Sequence, residues 1–128
     1  MSAALDKETP TVCVVDDDPS VLKAMSRLLS AGGWKTLSFL DPIAFLTYAE
    51  AHHPEVVVLD ILMPVINGLE VQTRLRMLSP SSRVLVLTSK DDPSVRSKAL
   101  DAGASAFFLK PVNDAQFLAA IESAASKN

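Results

Sequence analysis

Val56-Val57-Val58-Leu59-Asp60-Ile61-Leu62-Met63-Pro64-Val65-Ile66-Asn67-Gly68 decides how the chain is read. Four consecutive apolar residues fit a strand buried on both faces. The run nevertheless closes on a carboxylate, and Pro64 and Asn67-Gly68 mark a loop behind it. Three other runs share this form. Val12-Cys13-Val14-Val15 leads into Asp16-Asp17-Asp18, Val84-Leu85-Val86-Leu87 into Thr88-Ser89, and Ala106-Phe107-Phe108-Leu109 into Lys110-Pro111. As parallel strands, these runs would end along one edge of a sheet, the edge at which open α/β sheets bind ligands. Carboxylates, a hydroxyl and an ammonium would then share one site.

Segments of helical period separate the runs, which argues for βα units. Strands are expected over Thr11–Asp16, Lys35–Phe39, Glu55–Asp60, Arg83–Thr88 and Ser105–Leu109. The first helix, Pro19–Ala31, repeats Val21, Met25, Leu28 and Leu29 on one face and ends at Gly32-Gly33. A second starts at Asp41-Pro42, with Ile43, Leu46 and Ala49 inward, and stops by Pro54. Gly68–Leu78 is the third, burying Val71, Leu75 and Leu78, and Asp92-Pro93 opens a fourth that ends at Gly103. Asn113 and Gln116 have capping-box spacing ahead of Phe117, Ile121 and Ala124. Right-handed crossovers then give a single-domain, doubly wound, five-stranded parallel sheet of flavodoxin-like order 2-1-3-4-5, with helices on both faces. In that order the first and third strands are neighbours, so Asp16, Asp17 and Asp60 converge, flanked by Thr88 and Lys110.

With 128 residues, 48% of them hydrophobic, the chain can bury a core without disulfides or structural metal. Its lone cysteine, Cys13, suits a reducing compartment, so the cytoplasm is expected. A net charge of −3 offers no basic field for nucleic acid, and no apolar run is long enough to span a membrane. Residues 1–10 lack the pattern of a signal peptide and read as a disordered lead before a domain over 11–126.

Clustered carboxylates repel: at about 4 Å and an effective dielectric of about 20, each pair costs roughly 4 kcal/mol. A cation must offset that cost. An all-oxygen donor set suits Mg²⁺ or Mn²⁺ rather than zinc. A divalent metal with a lysine and a hydroxyl can hold a phosphoryl group, and an aspartate so placed can itself be the nucleophile.

The ordered set Val14-Val15-Asp16-Asp17-Asp18, Leu59-Asp60-Ile61-Leu62-Met63-Pro64 with Gly68, Leu87-Thr88-Ser89 and Phe107-Phe108-Leu109-Lys110-Pro111 resembles the receiver domain of two-component response regulators. The resemblance covers almost the whole chain after Pro10. It implies that Asp60 accepts phosphate from a sensor histidine kinase or histidine phosphotransfer protein, and that Asp16, Asp17, Asp60 and the Leu62 backbone carbonyl hold Mg²⁺. It implies further that Lys110 holds phosphoryl oxygens, that Thr88 and Phe107 form the switch, and that Lys110-Pro111 is a cis peptide. The face of helix 4, strand 5 and helix 5 would change, acting on a downstream target or effector domain, with a homodimer on phosphorylation as a further partner. Such a domain catalyses its own phosphorylation and dephosphorylation and is not a turnover enzyme. It would be either a stand-alone receiver or the first part of a larger regulator.

Departures from the common pattern are modest. Phe107 stands where a tyrosine is frequent, so switching rests on its rotamer. Leu62 and Lys90 occupy positions that in this family influence phosphoryl lifetime, and an apolar Leu62 would shield Asp60 from water. The alternatives are a haloacid-dehalogenase-type phosphohydrolase using Asp16, which leaves Asp60 unexplained, and a pseudo-receiver that binds without phosphorylation. Asp18 reads as a helix cap, Cys13 as inert core and Trp34 as packing. His52 and His53 are read as solvent-facing and not as ligands.

Overall fold

The computed structural model describes residues 11–63 and 66–125. The lead expected over 1–10, and Pro64 and Val65 of the quoted loop, lie outside the described residues. Strands β1 (Thr11–Val15), β2 (Lys35–Phe39), β3 (Val56–Asp60), β4 (Arg83–Thr88) and β5 (Ala106–Leu109) alternate with five helices. These are α1 (Pro19–Ala31), α2 (Pro42–His52), α3 (Gly68–Leu78), α4 (Pro93–Asp101) and α5 (Asp114–Ala125). All pairings are parallel, in the order β2-β1-β3-β4-β5, as expected of a doubly wound sheet. The expected strand starts at Glu55 and Ser105 and the end at Asp16 each move by one residue.

Strand side chains alternate between faces, and that alternation divides the core in two. Val12, Val14, Val56, Val58, Leu85 and Leu87 pack with Leu22, Met25 and Leu29 of α1 and Phe117, Ile121 and Ala124 of α5. Cys13, Val15, Val57, Leu59, Val84 and Val86 pack against α2, α3 and α4 through Phe45, Leu46, Ala49, Val71, Leu75 and Ala99. Four of the five strands carry apolar runs without polar interruption because helices cover both faces.

Helix ends follow their capping chemistry. Asp18, Asp41, Asn67 and Asp92 each accept a backbone N–H of the helix they precede, and Pro19, Pro42 and Pro93 occupy first turns where no donor is missed. Asn113 Oδ1 accepts Gln116 N–H at 2.9 Å, half of the expected capping box. Three buried stripes differ from expectation. Ile43 is 46% exposed, and Phe45 takes the inward position instead. Helix α2 is apolar on most sides, so spacing did not fix its rotation; the edge-to-face contact of Phe45 with Phe39, 5.4 Å between centroids, does. In α1, Leu22 is buried while Val21 and Leu28 are half-buried, because those two line an apolar groove. Leu78 is likewise only half-buried.

Candidate functional site

Alternation along the strands sorts the functional side chains before any contact is considered. Asp16 continues the phase of Val12 and Val14, and Asp60 that of Val56 and Val58, so both belong to the face of α1 and α5. Lys110 continues the phase of Phe108 on that same face, and its N–H donates to Thr88 O at 2.8 Å. The Lys110–Pro111 bond is cis. Thr88 follows Val84 and Val86, and with Phe107 it belongs to the opposite face, toward α4. The expected acceptor and the expected switch pair therefore straddle one sheet edge.

Asp16 and Asp60 are 1% and 3% exposed, which places two carboxylates in a poorly solvated position on adjacent strands. Lys110 Nζ lies 2.9 Å from Asp16 Oδ2 and 3.6 Å from Asp60 Oδ1 and bridges them. Asp18 N–H donates to Asp16 Oδ1 at 2.9 Å, and Leu62 N–H donates to Asp60 Oδ1 at 3.2 Å. Burial, and next the charge of Asp16, push the Asp60 carboxyl up from 3.8 to about 6, against the pull of Lys110 and the Leu62 N–H. Burial works to lower the Lys110 pKa, but the Asp16 hydrogen bond and the two carboxylate charges outweigh it and raise the value.

The loop after β3 is held tightly at its far end. Gly68 N–H donates to Ile61 O at 2.9 Å, and a Cβ on Gly68 would stand 2.5 Å from Ile61 Cα and 2.6 Å from Asp60 O. Only glycine lets α3 begin this close to the backbone of Asp60.

One oxygen each from Asp16, Asp17 and Asp60 lies within 4.8 Å of the others. Two of these side chains are buried and Asp17 is exposed, so the cluster opens to solvent on one side. Three carboxylates against one ammonium leave uncompensated negative charge, and the donors are all oxygen. Both properties fit a hard divalent cation such as Mg²⁺. His52 and His53 lie away from this cluster: both are exposed, His52 stacks on Tyr48, and His53 closes α2 in the left-handed region. Burial pushes the Cys13 thiol up to about 12, which keeps it unreactive, and Trp34 packs against the core beside α1.

Thr88 is 1% exposed, and its hydroxyl accepts Lys90 N–H at 3.2 Å. Phe107 is half-buried, with the Arg96 guanidinium of α4 5.5 Å from its ring centroid. Arg96 was not singled out from the sequence; the signal is its place in the helix that must cover β5. On the other face an apolar groove of about 800 Å³ runs between α1 and the segment after β5, lined by Val21, Met25, Leu28, Pro111 and Val112, with Lys110 in its wall.

A five-stranded doubly wound domain with an acidic cluster and a lysine at its carboxyl edge belongs to the class of α/β proteins that place charged groups at the ligand-binding edge of the sheet. Comparison with known proteins narrows the class. Residues 12–122 match the model of the response regulator receiver domain, and the chain belongs to that family. Transcriptional regulatory protein PrrA of Mycobacterium tuberculosis is 35% identical over 114 residues, 89% of this chain and 49% of PrrA. The chain thus spans about half the length of the curated relatives it matches. Chemotaxis protein CheY4 of Vibrio cholerae superposes with a TM-score of 0.83 at 26% identity, covering 91% of this chain and 98% of CheY4. A Burkholderia pseudomallei response regulator, solved with a phosphorylated aspartic acid, calcium ion and citrate, superposes with a TM-score of 0.81 at 27% identity, covering 91% and 69% of the two chains. Receiver domains are signalling domains of two-component systems, so this membership removes the support for a haloacid-dehalogenase-type hydrolase using Asp16. Among the described residues no helix is long and apolar enough to cross a membrane.

The raised Asp60 carboxyl has a consequence for stability. Its proton is held more tightly in the folded chain than in the unfolded one, so ionisation penalises the fold. The penalty is absent below pH 3.8, grows as pH rises toward about 6 and is complete above it. In chelator at about pH 7.5, Asp60→Asn is predicted to be more stable than wild type by on the order of 2 kcal/mol, with the gain gone near pH 4. Urea unfolding at the two pH values checks this; an Asp60→Asn protein less stable than wild type at both would contradict it.

Proposed function

We propose that Asp60 is the phosphoacceptor of this receiver domain, taken as residues 11–126, and that the donor is phosphohistidine on a sensor histidine kinase or a histidine phosphotransfer protein. The observation that carries the reading is the Lys110 ammonium bridging the two buried carboxylates, 2.9 Å from Asp16 and 3.6 Å from Asp60. The phosphorylated aspartic acid of the Burkholderia pseudomallei relative, in a chain of the same fold, supports it.

In this reading a carboxylate oxygen of Asp60 forms the new P–O bond as the P–N bond to the partner's imidazole breaks. The electron pair returns to the imidazole nitrogen, which takes up a proton from solvent. Asp60 attacks as its anion, the form that predominates above about pH 6. Lys110 follows the charge from the carboxylates onto the phosphoryl oxygens, a preorganised cation that need not reorient far. Asp16, Asp17, Asp60 and the Leu62 carbonyl would hold Mg²⁺ or Mn²⁺, which when bound neutralises charge on the transferring group. The apolar groove beside α1 has Lys110 in its wall, so a partner seated along Leu28 and Pro111 would bring its phosphohistidine toward Asp60. The domain thereby catalyses its own phosphorylation and is not a turnover enzyme.

Thr88 and Phe107 then serve as the switch. The Thr88 hydroxyl leaves the Lys90 N–H for a phosphoryl oxygen, and Phe107 turns into the space released. Arg96 moves with the ring it covers, so the face of α4, β5 and α5 changes shape. That face would act on an effector domain or a separate target, or pair with a second copy. A cytoplasmic location accompanies this reading.

Incubation with a small phosphodonor and Mg²⁺, followed by intact mass measurement, is predicted to add one phosphoryl group to wild type and none to Asp60→Asn. Retention of the mass gain in Asp60→Asn would overturn the assignment. Leu62, 43% exposed and two residues past Asp60, is proposed to slow hydrolysis of the acyl phosphate. Leu62→Asn is therefore expected to shorten the phosphoryl half-life several-fold in a phosphate-release assay, and an unchanged half-life would remove this role.

A further inference from the structure

Phe107 lies in β5, level with Val86 of β4 and on the same face of the sheet as Thr88. Its half-buried ring packs against the core that α2, α3 and α4 cover, and it has no hydroxyl with which a hydrogen bond could fix its direction. What lies over the ring is Arg96, in the first turn of α4. The guanidinium carbon is 5.5 Å from the ring centroid, inside the range of about 6 Å over which a cation is attracted to an aromatic face.

A nearby carboxylate could have drawn the guanidinium away. Asp92 stands four residues before Arg96, the spacing at which an acid and a base pair along a helix. Its Oδ1 instead accepts the backbone N–H groups of Ser94 at 2.9 Å and Val95 at 3.4 Å, as the cap of α4. Among the described residues Arg96 forms no ion pair, so its charge is left for the ring. The contact belongs to one setting of the switch only. A ring turned into the space that Thr88 vacates would leave the guanidinium to water, and an interaction made in one of two states shifts the balance toward that state.

We propose that Arg96 is a positioning residue of the switch: its guanidinium holds Phe107 in the resting direction and so restrains the chain from the state that phosphorylation favours. This rests on the reading of Asp60 as acceptor and of Thr88 and Phe107 as the switch, and adds the element that restrains it. A largely exposed cation over a ring favours the resting state by a factor of about two to five. Turning of the ring and occupation of the phosphoryl site are linked, so the same factor is lost from the affinity for an acyl-phosphate mimic. The sign is distinctive. Loss of a cation ordinarily weakens the binding of an anion, whereas loss of this one strengthens it.

Beryllium fluoride, an acyl-phosphate mimic, tests this when titrated at saturating Mg²⁺ into the ¹⁵N-labelled chain while the Thr88 amide signal is followed. Arg96→Ala and Arg96→Gln, the second of which keeps most of the side chain's length without its charge, are each expected to bind it about two- to fivefold tighter than wild type. Arg96 is exposed, so both variants are expected to fold. In a Phe107→Leu background, where the ring is gone, Arg96→Ala is expected to change the affinity by less than about 1.5-fold. Unchanged or weaker binding in both Arg96 variants, or an equal gain with and without the Phe107 ring, would overturn the inference and leave Asp60 as the acceptor. Equal affinity in wild type and Asp60→Asn would instead overturn the acceptor reading on which it rests.

Discussion

Two carboxylates at the ends of neighbouring strands, both withdrawn from water, set the terms for the rest of this structure. Asp16 and Asp60 are almost fully buried, and like charges so placed repel by roughly 4 kcal/mol at about 4 Å and an effective dielectric of about 20. Such a pair persists only where something holds the strand ends in place and something else supplies positive charge. The sheet does the first. Every residue of β3, and Val12 through Val15 of β1, is buried between helices on both faces. Lys110 does the second, reaching from the far side of β4. A third carboxylate, the exposed Asp17, tips the cluster back to negative, the charge and donor set that suit a hard cation.

The period of two along each strand extends this constraint to signalling. The charged residues Asp16, Asp60 and Lys110 fall on the α1 and α5 side, which also carries the apolar groove. Thr88 and Phe107 fall on the α4 side. In the proposed function, a chemical event on one side of the sheet edge would reach the other through the backbone of β4. Thr88 is the residue after Leu87, the register partner of Asp60, so little chain separates the two. Gly68 contributes by letting α3 start directly against the Asp60 carbonyl.

Much of this was legible in the sequence, for physical reasons that can be named. The strand order and the site followed from apolar runs that end in chemistry-bearing residues, because the carboxyl edge of a parallel sheet gathers whatever follows each strand. Helix starts were legible because Asp18, Asp41 and Asp92 each stand before a proline. Rotation of α2 was not, since that helix is apolar on most sides and the Phe39–Phe45 contact decides it. Arg96 over Phe107 was equally hidden, because it depends on how α4 lies across the sheet. The roles of Leu62 and Phe107 came from family resemblance alone.

The central claim is that Asp16 and Asp60 form, with Asp17, a site completed by a divalent cation. Thermal unfolding across a Mg²⁺ series measures it most directly, because a ligand at 100 times its dissociation constant adds about 2.7 kcal/mol to the fold. The melting temperature of wild type is predicted to rise with Mg²⁺, while those of Asp16→Asn and Asp60→Asn stay nearly flat. Melting temperatures that rise in parallel for all three proteins would contradict the account.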